Sequence, residues 1–319
     1  MFLTPEPAII ERRFVTVEGR LVHYRRAGAG PPIILLHQSP TSSGELVTQI
    51  AALADRFTVI APDTPGYGAS DPLPLDRPHM DDFAAALRAF FDAMGLARAG
   101  VYGTHTGAMI AAAFARCHPE RVTCAVLDGY VVLTPDERRD FLTDYFVDVP
   151  PQADGGHMAW YWQRIRDQVI FFPWYRKAAE ARMRFDVPPA AFIQPYVLDL
   201  LRADRMGTPA YAAAFRYPAD TALQETTAPT WLLNFDADAI ADHPERLSGW
   251  PASVQRERLA DPDAVLERAA ALFAAHADTD QAPAPPAQPE KARYVATPAG
   301  PLACRSAGAG EAACLLIHP

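Results

Sequence analysis

The chain has 319 residues, 50% hydrophobic and 21% charged, with a net charge of -9. That balance fits one large globular domain, or one domain and a fragment. The negative charge argues against nucleic acid and anionic membrane surfaces as partners, because phosphate binding needs basic stripes, and no apolar run is long enough to span a bilayer.

The opening residues Met1-Phe2-Leu3-Thr4-Pro5-Glu6-Pro7 have no basic segment leading into an apolar core. No secretory signal is read there, and a cytoplasmic location is the expectation. Arg12 to Val17 and Arg20 to Arg26 flank the turn Glu18-Gly19 and predict a hairpin. Pro32 to Leu36 is a continuous apolar run, the pattern of a buried central strand. A helix is expected from Ser43 to Leu53, capped by Ser42 or Ser43, and a buried strand from Phe57 to Ala61. Asp82 to Met94 carries Phe83, Leu87, Phe90, Phe91 and Met94 at helical spacing. Ala99 to Tyr102 is a strand, Ala108 to Arg116 a helix, and Val122 to Leu127 another strand. The cysteines at 117, 124, 304 and 314 form no C-x-x-C pair and read as reduced, buried thiols.

Strand signals stop near Tyr130. Residues 131–217 are rich in aromatics and helical patterns, which predicts a helical lid inserted after the sixth strand. The sheet resumes at Pro229 to Asn234 and continues at Ser253 to Leu259, and Asp263 to Ala277 closes as a helix. The alternation implies an α/β fold, a mostly parallel sheet covered by helices on both faces. The first domain is read as 1–277, with its core at 10–130 and 218–277. A Pro/Ala linker follows at 278–292, extended and semi-rigid. Residues 293–319 then echo the start of the chain. Arg293-Tyr294-Val295, Gly308-Ala309-Gly310 and Leu315-Leu316-Ile317-His318 repeat Arg13-Phe14-Val15, Gly28-Ala29-Gly30 and Ile34-Leu35-Leu36-His37, with single-residue gaps. They are read as the start of a second copy. So short a remnant cannot bury both faces of a sheet, and should be poorly ordered or borrow contacts from the first domain or another chain.

The most informative stretch is Gly103-Thr104-His105-Thr106-Gly107, set between a strand and a helix. It has the form of the G-x-S-x-G nucleophile elbow, with histidine in place of serine. A turn this sharp strains its central residue and requires tiny neighbours. With it go His37-Gln38-Ser39-Pro40 after the third strand and Asp63-Thr64-Pro65-Gly66-Tyr67-Gly68-Ala69-Ser70-Asp71 after the fourth. On these three landmarks residues 10–277 resemble the α/β-hydrolase superfamily.

The resemblance implies that residue 105 is the reacting group, and that the backbone N–H of Thr106, with Gln38, holds the oxyanion. The catalytic candidates are His105, Asp128, Asp236 and His157. Asp128 and the Asp236/Asp238 pair stand where the family places its acid. His157, in Asp154-Gly155-Gly156-His157, stands in for the histidine that the family carries after its last strand; here that loop reads Leu259-Ala260-Asp261-Pro262-Asp263. His37, Gln38, Thr104, Thr106 and Trp160 are the expected substrate-binding residues. His37, His105 and His157 lack the spacing of a shared metal site, so no metal and no cofactor are expected.

Two functions remain open. In one, His105 replaces the serine nucleophile, or acts as a base, on a small apolar carbonyl or ester-type substrate; a lyase or decarboxylase is the variant of this reading. In the other, the domain is the non-catalytic half of a tandem protein, with a binding or scaffolding role. The expected partner is a small molecule, with neither nucleic acid nor membrane, and a homodimer is left open.

Overall fold

The computed structural model describes residues 9–203, 208–247, 249–278, 281–298 and 300–306. β1 (Glu11–Val17) and β2 (Arg20–Ala27) form an antiparallel hairpin, and β2 pairs antiparallel with β4 (Thr58–Pro62). From β4 onward the sheet is parallel, through β3 (Pro32–Leu36), β5 (Ala99–Thr104), β6 (Val122–Asp128), β7 (Thr230–Phe235) and β8 (Val254–Leu259). The central strands are apolar on both faces because helices cover both faces. α1 (Val47–Leu53) and α9 (Pro262–His276) pack on one side, α2 (Met80–Ala93) and α3 (Thr106–Cys117) on the other. The small side chains of Ala111, Ala112, Ala113 and Ala115 let α3 lie close against the sheet and its neighbours, with all four buried.

Between β6 and β7 come α4 (Pro135–Asp144), α5 (Gly156–Gln168), α6 (Ala190–Arg202), α7 (Thr208–Arg216) and α8 (Ala219–Gln224). α5 and α6 hold each other through Tyr161, Ile165, Ile193, Val197 and Leu200. The helix expected over Ser43 to Leu53 is split. A 3-10 turn over Ser43–Leu46, capped by the Ser42 hydroxyl, precedes α1.

The segment after the Asp63 strand end serves the framework. Asp63 accepts hydrogen bonds from His23 Nδ1 (2.8 Å) and from the N–H groups of Ser43 and Ala69 (both 2.9 Å). Burial alone would raise its carboxyl, but these donors and the histidine hold it well below the usual carboxylate range. Ser70 and Asp71 accept from the N–H groups of His23 and Leu21, so the segment ties the β4 loop to the hairpin.

The Pro/Ala stretch runs as an extended strap docked on the first hairpin. Pro283 and Pro286 offer their carbonyls to Arg26 Nη2 (2.9 Å) and Arg13 Nη2 (3.2 Å), and the Ala282 N–H donates to the Gly30 carbonyl at 3.2 Å. The composition sets an extended backbone, and the arginines of the hairpin fix it in place. Beyond the strap, β9 (Ala292–Thr297) and β10 (Gly300–Arg305) form a separate two-stranded sheet. The third strand expected near residues 314–318 lies outside the described residues.

Candidate active site

The turn between β5 and α3 carries His105 at φ 47° and ψ -107°, a conformation that side-chain-bearing residues rarely adopt. The two flanking glycines explain why the turn closes. A Cβ on Gly103 would lie 2.2 Å from the Gly107 carbonyl oxygen, and one on Gly107 would lie 2.2 Å from the Leu36 carbonyl oxygen. Both obstacles are backbone, so neither can move aside. The turn therefore presents the imidazole at the C-terminal edge of the sheet, where open α/β folds bind ligands.

His105 has an acceptor on each ring nitrogen. Nε2 lies 3.1 Å from Asp238 Oδ2, and Nδ1 lies 2.8 Å from Gln38 Oε1. The orientation of the Gln38 amide follows from its other contacts. Its Nε2 donates to Glu45 Oε2 (3.1 Å) and its backbone N–H to Glu45 Oε1 (2.8 Å). Turning the amide over would set its oxygen against that carboxylate. Four groups thus stand in a row: Asp238, His105, Gln38, Glu45.

Burial opposes charge on the imidazole. The Asp238 carboxylate, with smaller help from Asp128 and Glu45, outweighs it and lifts the His105 pKa to about 9. The same pairing holds the Asp238 carboxyl below its ordinary value against its own burial. Asp238 is 4% exposed, whereas the His105 side chain is 37% exposed, into a cavity. With both nitrogens protonated, His105 is an imidazolium at neutral pH.

The cavity above it has a volume of about 630 Å³, within the range of small-molecule sites. Its walls are largely aromatic, with Tyr145, Phe172, Phe192, Tyr196, Tyr211 and Phe215 coming from the segment between β6 and β7. Gln38, Thr104, Thr106, His105 and Asp128 also line it. Asp128 points its carboxylate at the Tyr102 hydroxyl (2.5 Å), and its hydrogen bond to His105 is made by its backbone carbonyl, which accepts from the His105 N–H at 2.8 Å. Burial raises the Asp128 carboxyl to about 6.

Four expected residues stand elsewhere. Asp236 is an exposed partner of Arg258 Nε (2.5 Å); of the two carboxylates after β7, the one at 238 turns inward. His157 accepts the Gln152 N–H at 3.1 Å, closing the turn that starts α5, and does not face His105. Trp160 packs edge-on against Tyr161 and Trp174 among the helices, outside the cavity lining. His37 is buried with both nitrogens engaged, Nε2 accepting from the Thr64 N–H (2.9 Å) and Nδ1 donating to the Gln38 carbonyl (2.8 Å). Gln38 lines the cavity, but its backbone N–H and one amide N–H are given to Glu45, and its amide nitrogen also lies 3.5 Å from the Tyr196 hydroxyl. At the start of α3 the Thr106 N–H belongs to the first turn, which has no intrahelical acceptor. Glu45 and Tyr196 went unnoticed in the sequence. No motif marks Glu45, and Tyr196 sits in a helical pattern indistinguishable from core. Among the described residues no group of three or more His, Cys, Asp or Glu is placed to hold a metal ion, and no helix is long and apolar enough to cross a membrane.

Comparison with known proteins agrees with this architecture. A family model described as the alpha/beta hydrolase fold matches residues 31–173. Haloalkane dehalogenase 2 of Mycobacterium tuberculosis is 37% identical over 127 residues, which is 39% of this chain and 44% of that protein. The soluble epoxide hydrolase of a Corynebacterium species is 38% identical over 99 residues, 31% of this chain and 34% of that protein. The chain thus spans less than half the length of these curated relatives. Among solved structures, epoxide hydrolase A from Mycobacterium thermoresistibile superposes with a TM-score of 0.64 at 19% identity, covering 85% of this chain and 100% of that one. The family model and the relatives support the alpha/beta hydrolase superfamily, and the protein has the alpha/beta hydrolase fold.

Proposed function

We propose that the chain is an enzyme of the α/β-hydrolase type that binds a small, mostly apolar carbonyl or ester-type compound beneath a helical lid, and that His105 takes the serine's place as a proton donor. The observation that carries this reading is the His105–Asp238 pair, 3.1 Å apart at the floor of an aromatic cavity. Asp238 fixes Nε2–H and stabilises the cation, which leaves Nδ1–H as the transferable proton. A carbonyl oxygen entering the cavity competes with Gln38 for that proton. As water adds to the carbonyl carbon, the developing oxyanion takes the Nδ1 proton, and the proton lost by the water returns the ring to its imidazolium form; for an ester the same ring then protonates the departing alkoxide. Attack by the ring itself needs the neutral form, which the pairing with Asp238 disfavours at pH 7. The Asp238 carboxylate at Nε2 therefore suits the ring to the part of acid rather than nucleophile. The names of the relatives, a haloalkane dehalogenase and an epoxide hydrolase, point to the same class of small, weakly polar substrate.

Two measurements test this together. His105→Ala is expected to abolish turnover of aryl esters and small ketones while leaving the far-UV circular dichroism unchanged. The kcat/KM profile of the wild type is expected to fall as pH rises through about 9. A rate that climbs toward pH 9 would establish the ring as base or nucleophile, and undiminished activity in the alanine variant would remove it from the chemistry altogether.

A second reading rests on a different observation. Glu45 engages the Gln38 backbone N–H and one of its two amide N–H groups, and the other reaches the Tyr196 hydroxyl only at 3.5 Å, so the loop that supplies an oxyanion donor in the family is turned largely toward protein partners here. The cavity would then bind a ligand without turning it over, as the non-catalytic half of a tandem protein. Substrate-like esters that quench tryptophan fluorescence, yet survive days with the protein, would favour this version.

A further inference from the structure

The hairpin β9–β10 reproduces β1–β2 at a constant shift of 280 residues. Without a gap over residues 291–310, Arg293, Val295, Arg305, Ala307, Gly308, Ala309 and Gly310 match Arg13, Val15, Arg25, Ala27, Gly28, Ala29 and Gly30, and Tyr294 matches Phe14. The strand register obeys the same shift. Val17 faces Arg20 and Thr297 faces Gly300; Phe14 faces His23 and Tyr294 faces Ala303; Arg12 faces Arg25 and Ala292 faces Arg305. Chance likeness of two Ala/Gly-rich segments accounts for shared composition. It gives no reason for a common turn length and pairing.

The two hairpins also touch through matched residues. The Phe14 and Tyr294 rings stack at 5.5 Å with planes 4° apart. A guanidinium lies over each ring, Arg12 over Tyr294 at 4.6 Å and Arg305 over Phe14 at 5.0 Å. One carboxamide oxygen, Gln288 Oε1, accepts from both equivalent backbone N–H groups, those of Phe14 (3.4 Å) and Tyr294 (3.0 Å). Equivalent rings thus meet face to face and equivalent amides share one acceptor, while the two guanidiniums are unmatched, Arg12 corresponding to Ala292 and Arg305 to Arg25.

One face of β9–β10 lacks what its counterpart has. Val15 and Val22 are buried, at 4% and 5% exposure, in the core beneath β1 and β2. Their matches Val295 and Leu302 are 39% and 59% exposed. A two-stranded hairpin with bare apolar residues is marginal by itself and needs further strands or a helix against that face. From the shift of 280, the stacked rings and the uncovered pair, we infer that β9–β10 is the first hairpin of a second unit of this same fold. The body of that unit covers Val295 and Leu302 as the first unit covers Val15 and Val22. The two units meet where Phe14 stacks on Tyr294. This inference is independent of the chemistry assigned to His105.

The test uses the natural gene product of the source organism. An antibody raised against residues 1–277 is expected to detect a polypeptide of about twice the 34.8 kDa of the present chain. A native species of that smaller mass would overturn the inference. On the natural-length protein, Phe14→Ala with Tyr294→Ala is expected to raise the rate of limited proteolysis within residues 278–290 about tenfold, the scale of one lost aromatic pair. An unchanged rate would refute the ring contact as the seam between the units.

Discussion

Asp238→Asn tests the electrostatic core of the site. The change keeps the shape and an oxygen for Nε2–H, and removes the charge. In the wild type the carboxylate overcomes the burial that would otherwise depress the imidazole and lifts it from 6.5 to about 9. Without that carboxylate the burial is opposed only by the weaker fields of Asp128 and Glu45, and the midpoint should fall to 6.5 or below. A rise of this size in a closed site corresponds to about 3 kcal/mol. Because the ring is 37% exposed, solvent screening reduces this to roughly 1.5–2 kcal/mol. The folded state binds the proton more tightly than the unfolded chain. The stabilisation is therefore complete below pH 6.5 and is lost as pH rises through about 9. Urea unfolding of the wild type at pH 6 and pH 9.5 should show this loss, and the asparagine variant should not. Proton–carbon NMR of protein labelled at histidine Cε1 follows the titration directly, with the His105 peak identified by its absence in His105→Ala. A wild-type midpoint near 6.5, or a variant that still titrates near 9, would refute the reasoning.

Other changes probe the same arrangement from different sides. Gly129→Ala would place a Cβ 2.3 Å from His105 Cδ2 and 2.7 Å from Nε2, at a φ of +71°. It should push the ring off Asp238, cost about 1 kcal/mol of stability, and reduce turnover to the level of His105→Ala. Glu45→Ala releases Gln38 to rotate, so the His105 midpoint should drop in the same NMR titration, and unfolding should show a loss of about 1 kcal/mol for the N–H left unpaired. His105→Ser restores the G-x-S-x-G spelling with no second histidine beside it. The variant should stay inactive on esters and unlabelled by fluorophosphonate; labelling at residue 105 would reveal a base that this account lacks. Gly107→Ala meets backbone at 2.2 Å and should not yield folded protein, as judged by soluble expression and circular dichroism.

The scaffold was legible because its signals are local. Pro32 to Leu36 and Val122 to Leu127 are too apolar to lie anywhere but inside, and the Gly103–Gly107 spelling leaves few turns that it could make. The partners of His105 were harder to read. Asp236 and Asp238 follow the same strand two residues apart, and their roles are separated by the turn in which the Asp238 N–H donates to the Phe235 carbonyl at 3.1 Å. Arg258, next to Asn234 on the adjoining strand, then captures the outer carboxylate. Such pairing depends on strand order, which single-sequence periodicity does not carry. His157 misled because a histidine beside glycines looks alike whether it lines a cavity or closes a helix start. Glu45 carried no warning at all. An acid one turn past Ser42 reads as helix-start chemistry, and only the folded loop turns it toward Gln38.

The docked Pro/Ala strap bears on how the molecule avoids its own kind. β1 is a sheet margin, and an open margin invites another strand to join it. Prolines have no N–H to offer an intruder, and with Gln288 they engage Arg13, Arg26 and the Phe14 amide from outside. The opposite margin, β8, is guarded by another device, alternating charge along Gln255-Arg256-Glu257-Arg258. With both flanks closed to ladder extension, association between such molecules must run through side chains, and that keeps a strongly apolar eight-stranded sheet from growing into an aggregate.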